Sequence, residues 1–120
     1  MKFNCENLEV YKISRLLIIE IYKLTKIFPP DERFGLTSQL RRAVISTSLN
    51  IAEGSGKISK KDFANFIRIA IGSLIETDTA LKISIDLNYI KIEEYNKLDN
   101  QIKELYFKLI ALDKSLRKTK

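Results

Sequence analysis

With 120 residues and a formal net charge of +6, and with 30% of its residues charged and few Gly or Pro, the chain is long enough for one domain with its own core. It contains no His and a single cysteine, Cys5. These absences remove the usual general base near neutral pH, the Ser-His and Cys-His nucleophile pairs, the commonest zinc ligand and any disulfide within the chain.

The first periodic segment is expected over residues 8–28, where Val10, Ile13, Leu17, Ile21, Leu24 and Phe28 recur at helical spacing. A second stripe of Leu8, Tyr11, Ile18 and Tyr22 flanks it. This helix is apolar over more than one core contact needs, which points to an enclosed helix or to an oligomer face. Leu16 to Ile19 is cut by Glu20, so no stretch reaches the roughly 20 apolar residues that span a bilayer. The start of the chain lacks the apolar run of a secretory signal, and a cytoplasmic protein with no membrane contact is expected. Pro29-Pro30 ends the helix.

The second helix is expected over residues 37–54, capped by Thr37 or Ser38, with Leu40, Ala43, Val44, Thr47 and Ile51 as its core stripe. Gly54-Ser55-Gly56 stops it. Ser59 with Asp62 resembles a capping box and opens a third helix over residues 60–87, closed at Asn88, which tolerates the left-handed conformation. Tyr95, Leu98, Ile102, Leu105, Leu109, Leu112 and Leu116 then alternate steps of three and four through a fourth helix, residues 92–116. The sum is an all-α, antiparallel up-down-up-down four-helix bundle, expected as a single domain over residues 1–120.

Two constellations stand out against this frame. Gln39, Arg42, Ser46, Asn50 and Glu53 share one face of the second helix. In a hairpin about Gly56 and Lys57, Arg42 lies level with Gly72, Ser73 and Glu76. A polar pocket is one reading of this seam. The other, which we favour, is a hydrogen-bonded network, with Ser73 and Glu76, that fixes register or joins subunits. Basic residues gather around the second turn (Lys57, Lys60, Lys61, Arg68) and at the C-terminus (Lys114, Arg117, Lys118, Lys120). Arg41, Lys57, Lys60, Lys61 and Arg68 are the candidate phosphate contacts.

Catalytic and metal readings fare worse. Gly54-Ser55-Gly56-Lys57 has the look of a P-loop fragment, but Ile51 stands where the first Gly is needed, Ile58 where Ser or Thr is needed, and a helix precedes it instead of a strand. Glu53, Glu76 and Asp78 are potential paired carboxylates, yet di-iron bundles draw on Glu-x-x-His, which this chain lacks. No cofactor, metal site or catalytic residue is expected.

Phe34-Gly35-Leu36-Thr37-Ser38-Gln39-Leu40-Arg41-Arg42-Ala43, then Asn50-Ile51-Ala52-Glu53-Gly54, then Ile69-Ala70-Ile71-Gly72-Ser73-Leu74-Ile75-Glu76, resemble the bacterial four-helix bundle family named for proteins encoded in 23S ribosomal RNA intervening sequences. The resemblance implies a homopentameric barrel without established enzymatic activity. A related branch, the accessory variability determinant of diversity-generating retroelements, is a basic pentamer that binds a reverse transcriptase and nucleic acid. Two departures are visible: Ser48 and Leu49 replace the family's Pro-Ser before Asn50, and Lys57 replaces an arginine, which loses the bidentate fork. The expected function is therefore a non-enzymatic homo-oligomer that binds RNA or DNA electrostatically. The alternative is a structural or adaptor protein that binds a protein partner, with no nucleic-acid role.

Overall fold

Residues 1–118 are described by the computed structural model, in which four helices follow one another: α1 Glu9–Thr25, α2 Leu36–Ser55, α3 Lys60–Asp86 and α4 Ile92–Arg117. Their short connections make sequential helices antiparallel, giving an up-down-up-down bundle of 50 × 27 × 20 Å. A 3-10 turn, Asn4–Asn7, precedes α1 and buries Cys5. Among the described residues, no helix is long and apolar enough to cross a membrane.

The bundle is held by the stripes predicted for α1, α2 and α4, closed by Ile67, Leu74 and Leu81 of α3. Leu17, Ile21, Leu40, Val44, Ile51, Ile67, Leu74, Leu81, Leu105 and Leu109 are almost wholly buried. Each large apolar side chain removed from water contributes about 1.5–3 kcal/mol. Small residues let α1 and α2 cross closely, and the Ser14 and Ser48 hydroxyls meet there at 2.5 Å in the buried interface. The second stripe of α1 is half-buried, while Leu16 and Ile19 remain half exposed on its outer face.

The helix ends hold two corrections. α1 stops at Thr25, three residues before the expected end, because the chain tightens into a turn at Lys26–Phe28 before Pro29. The first amide of α2 is satisfied neither by Thr37 nor by Ser38. Gly35 is the N-cap position, and Glu32 reaches forward so that Leu36 N–H donates to its Oε1 at 2.9 Å. Ser59 does cap α3, accepting from Asp62 N–H at 3.0 Å, and Asn88 takes the left-handed conformation with φ 63°.

Glu32 also ties the two connections at that end of the bundle, since Tyr89 Oη donates to its Oε2 at 2.7 Å beside the Phe28 and Tyr89 rings, whose centroids lie 5.5 Å apart. The Leu36 amide first, and then the Tyr89 hydroxyl, hold the Glu32 carboxyl below its ordinary value of 4.5. A carboxyl whose folded pKa is depressed stabilises the fold above its unfolded value, and that contribution disappears as pH falls through the folded value. Glu32→Gln is therefore expected to melt below wild type at neutral pH. The gap should narrow as pH falls below the ordinary value of 4.5 in paired thermal melts.

Candidate nucleic-acid interface and polar seam

The polar seam forms in part. Ser46 on α2 and Ser73 on α3 meet through their hydroxyls at 2.9 Å, and Asn50 Nδ2 donates to Ser46 O at 2.8 Å and to Ser46 Oγ at 3.0 Å. The register differs from the expected one by about a turn: Ser46, not Arg42, lies level with Ser73, and of the residues expected beside Arg42 only Glu76 is near its level. Arg42 and Glu76 are both exposed, however, and among the described residues no ion pair joins them. Gln39 and Glu53 are exposed as well. The physical reason is position on the wheel: Ser46, Asn50 and Ser73 face the helix crossing, whereas the long side chains lie on the shoulder that solvates them. Gly72 lies on that same shoulder, where a methyl group would meet nothing within 4 Å.

The basic residues, separate in sequence, come together in space. Because α3 and α4 are antiparallel, the start of α3 lies beside the end of α4. Arg117 Nη2 donates to Asn65 Oδ1 at 3.0 Å, and Arg68 Nε reaches both oxygens of Asp113 at 3.2 Å. Asp113 is the buried hub of this contact, also accepting from Arg117 Nε at 2.8 Å. Lys57, Lys60, Lys61, Arg68, Lys114, Arg117 and Lys118 thus crowd one end of the bundle, against Glu53, Asp62 and Asp113 from the same stretches of α2, α3 and α4. Lys120 lies outside the described residues.

These cations are not equally free. Lys57 lies 5.0 Å over the Phe66 ring and 3.9 Å from Glu53, and Arg68 is committed to Asp113. Lys60, Lys61 and Lys114 are exposed, and among the described residues none has a carboxylate within ion-pair distance. Lys60 and Lys61 occupy the first turn of α3, where the helix dipole disfavours positive charge. Folding gives them no reason to be there.

Arg41 does not join this cluster. Its Nε donates to Thr25 Oγ1 at 2.8 Å, and its guanidinium stacks 4.4 Å over the Tyr22 ring, near the other end of the α1–α2 crossing. Fourteen helical steps to Ser55 place it roughly 20 Å along the bundle from the turn that carries Lys57.

A cleft of about 370 Å³ runs between α3 and α4, lined by Leu74, Ile75, Ile102, Tyr106 and Phe107, with Asp78 and Asp99 at its polar rim. Tyr95 Oη donates to Asp78 Oδ1 at 2.6 Å, Lys82 pairs with Asp78 at 2.8 Å and Lys103 with Asp99 at 3.1 Å. Burial, followed by the Asp78 hydrogen bond, pushes the Tyr95 phenol well above its ordinary value. It remains a neutral donor, ill suited to nucleophilic work. Sequence reading placed Tyr95 in the core but missed its bond to Asp78, and it missed the Asp113 hub entirely. The latter had a signal: Asp113 occupies a position beside Leu109 and Leu112, on the apolar side of α4.

The chain matches the family model described as 23S rRNA-intervening sequence protein over residues 6–111. No curated protein matches it. It is similar to the crystal structure of a protein of unknown function from the S23 ribosomal protein family of Bacteroides thetaiotaomicron VPI-5482. The TM-score is 0.80 at 29% identity, with 88% of this chain and 98% of that chain covered.

Proposed function

The chain belongs to the 23S rRNA-intervening sequence protein family, and from that premise we propose that it is a non-enzymatic, pentameric bundle that binds RNA or DNA through its basic end. The observation that carries this reading is the convergence at that end of Lys60, Lys61 and Lys114, exposed and without ion-pair partners among the described residues. Cations of this kind release counterions from phosphates and read no bases, so the binding is low in sequence specificity and steep in salt. Filter retention of a structured ribosomal RNA at two salt concentrations tests it. Strong retention at low salt that collapses at high salt is expected, and no retention at low salt would remove the nucleic-acid role.

Self-association is supported by the outer shoulder of α2 and α3. Arg42, Leu49, Ile69, Gly72 and Glu76 are all exposed there, and a glycine inside an exposed helix costs about 1 kcal/mol relative to alanine. A site that accepts that cost and has open space beyond it suits the close approach of a second helix. Gly72→Ala should strengthen α3 in an isolated protomer yet break a packed subunit contact. A smaller particle in light scattering, with helix content preserved, is the expected result. Unchanged assembly would take Gly72 out of the interface.

The adaptor reading draws on the α3–α4 cleft, where Ile75 and Phe107 are more than half exposed beside it. Such a cleft suits the apolar side chains of a protein partner, a reverse transcriptase among them. Protein capture without RNA retention would favour it.

A further inference from the structure

The α2–α3 connection holds a side chain that neither the fold nor charge neutralisation explains. Ile58 is fully exposed, at 105% of its reference area, in a connection of only four residues, Gly56 to Ser59. Both sides of that connection are pinned. Gly56 N–H donates to Glu53 O at 3.2 Å and Lys57 N–H to Gly54 O at 3.0 Å, while Ser59 caps α3 at 3.0 Å and its carbonyl accepts from Phe63 N–H at 3.1 Å. Single exposed apolar residues are common on protein surfaces. Ile58 differs in standing on a fixed apex with Lys57, Lys60 and Lys61 within three positions of it. It is as exposed here as in an unfolded chain, so its hydrophobicity adds nothing to folding, and a turn favours Gly, Asn, Asp or Ser instead.

We propose that Ile58 is an apolar wedge that enters a base-paired nucleic acid between adjacent base steps while Lys57, Lys60 and Lys61 hold phosphates beside it. The inference rests on the reading of the basic end given above. An isoleucine has no donor or acceptor with which to read a base edge; what it gains is burial against base faces when a step opens. Unstacking costs energy, and least where a base is already mismatched or unpaired. The ligand class is therefore a helix with a deformable step, such as a bulged stem, in preference to a uniform duplex. A bilayer surface calls for a helix face of several apolar side chains, whereas the connection offers one.

Fluorescence anisotropy with two short RNA duplexes of equal length, one perfect and one with a central bulge, tests the proposal. Wild type is expected to prefer the bulged duplex. Ile58→Ser should bind that duplex about tenfold more weakly, at an unchanged salt slope, since one apolar side chain and no phosphate contact is lost. Ile58→Leu should retain the preference, and circular dichroism should show all three proteins equally folded. Equal binding of the two duplexes by wild type, or an Ile58→Ser variant that matches wild type on the bulged one, overturns the wedge and leaves the basic-end reading in place. No binding of either duplex by wild type at low salt overturns the wedge, and together with no filter retention of the structured ribosomal RNA it overturns both. Sedimentation with phosphatidylserine-containing vesicles that depends on Ile58, without duplex binding, overturns the wedge in favour of a membrane contact.

Discussion

Lys60→Glu combined with Lys61→Glu is expected to abolish binding of RNA or DNA at physiological salt and to leave the protein at least as stable as wild type. Both lysines lie in the first turn of α3, exposed and without ion-pair partners among the described residues, so removing them breaks no contact within the bundle. Carboxylates at that position complement the helix dipole, each contributing about 0.3–1 kcal/mol at low ionic strength. On the binding side, two lost phosphate contacts lower the slope of log K against log salt by about 1.8 on a duplex, and the reversed charges then repel the backbone. Thermal melts and salt-dependent anisotropy on the same preparation separate these effects. Binding that persists with the wild-type slope would move the phosphate contacts elsewhere.

Gly54→Ala is expected to destabilise the fold by about 1–3 kcal/mol, although alanine is the better helix former by about 1 kcal/mol. A methyl group at Gly54 would lie 2.7 Å from Phe66 Cβ, 3.0 Å from Phe63 Cδ1 and 3.2 Å from the Phe63 carbonyl oxygen. Two of those three neighbours, a Cβ and a backbone atom, cannot swing aside, so α2 and α3 must separate where they turn into one another. The cost should appear as a lowered melting temperature. Because the same displacement shifts Lys57, Ile58 and Lys60 relative to the end of α4, weaker nucleic-acid binding should accompany it. A melting temperature equal to wild type would mean that the hairpin relaxes freely at this point.

The helices were legible in the sequence because burial follows periodicity. Of the stripe from Tyr95 to Leu116, every position as far as Leu109 is buried and Leu112 and Leu116 are half-buried, while Leu40, Ala43, Val44, Thr47 and Ile51 are all buried on α2. Ends were less legible. The cap of α2 comes from Glu32, in a 3-10 turn that precedes the helix, and nothing in local spacing says that a glutamate will reach forward four residues when Thr37 and Ser38 are nearer. For the seam, spacing gave the residues that share the face and the helix they meet, but it set Arg42 beside Ser73 where Ser46, one turn away, stands, and it did not give the depth of each side chain. Helical pitch says which residues share a face; it does not say whether that face is covered. Arg42 and Glu76, level with one another, are left in solvent.

The basic residues teach the complementary lesson. Sequence alone separates Lys57, Lys60 and Lys61 from Lys114, Arg117 and Lys118 by some fifty positions, and only the antiparallel packing of α3 on α4 brings them to the same end of the bundle. Packing also engages candidates within the fold. Arg68 Nε is held by Asp113 while most of its side chain stays exposed, and Arg41 is engaged by Thr25 and Tyr22, which the residue types alone did not reveal.

The most direct measurement is a lysine-reactivity footprint by mass spectrometry, with and without a structured RNA at low salt. Lys57, Lys60, Lys61 and Lys114 should be protected together, while Lys82, Lys97 and Lys103, towards the other end of α3 and α4, keep their reactivity. Protection confined to Lys82, Lys97 and Lys103, or spread evenly over the surface, would contradict a nucleic-acid interface at the basic end.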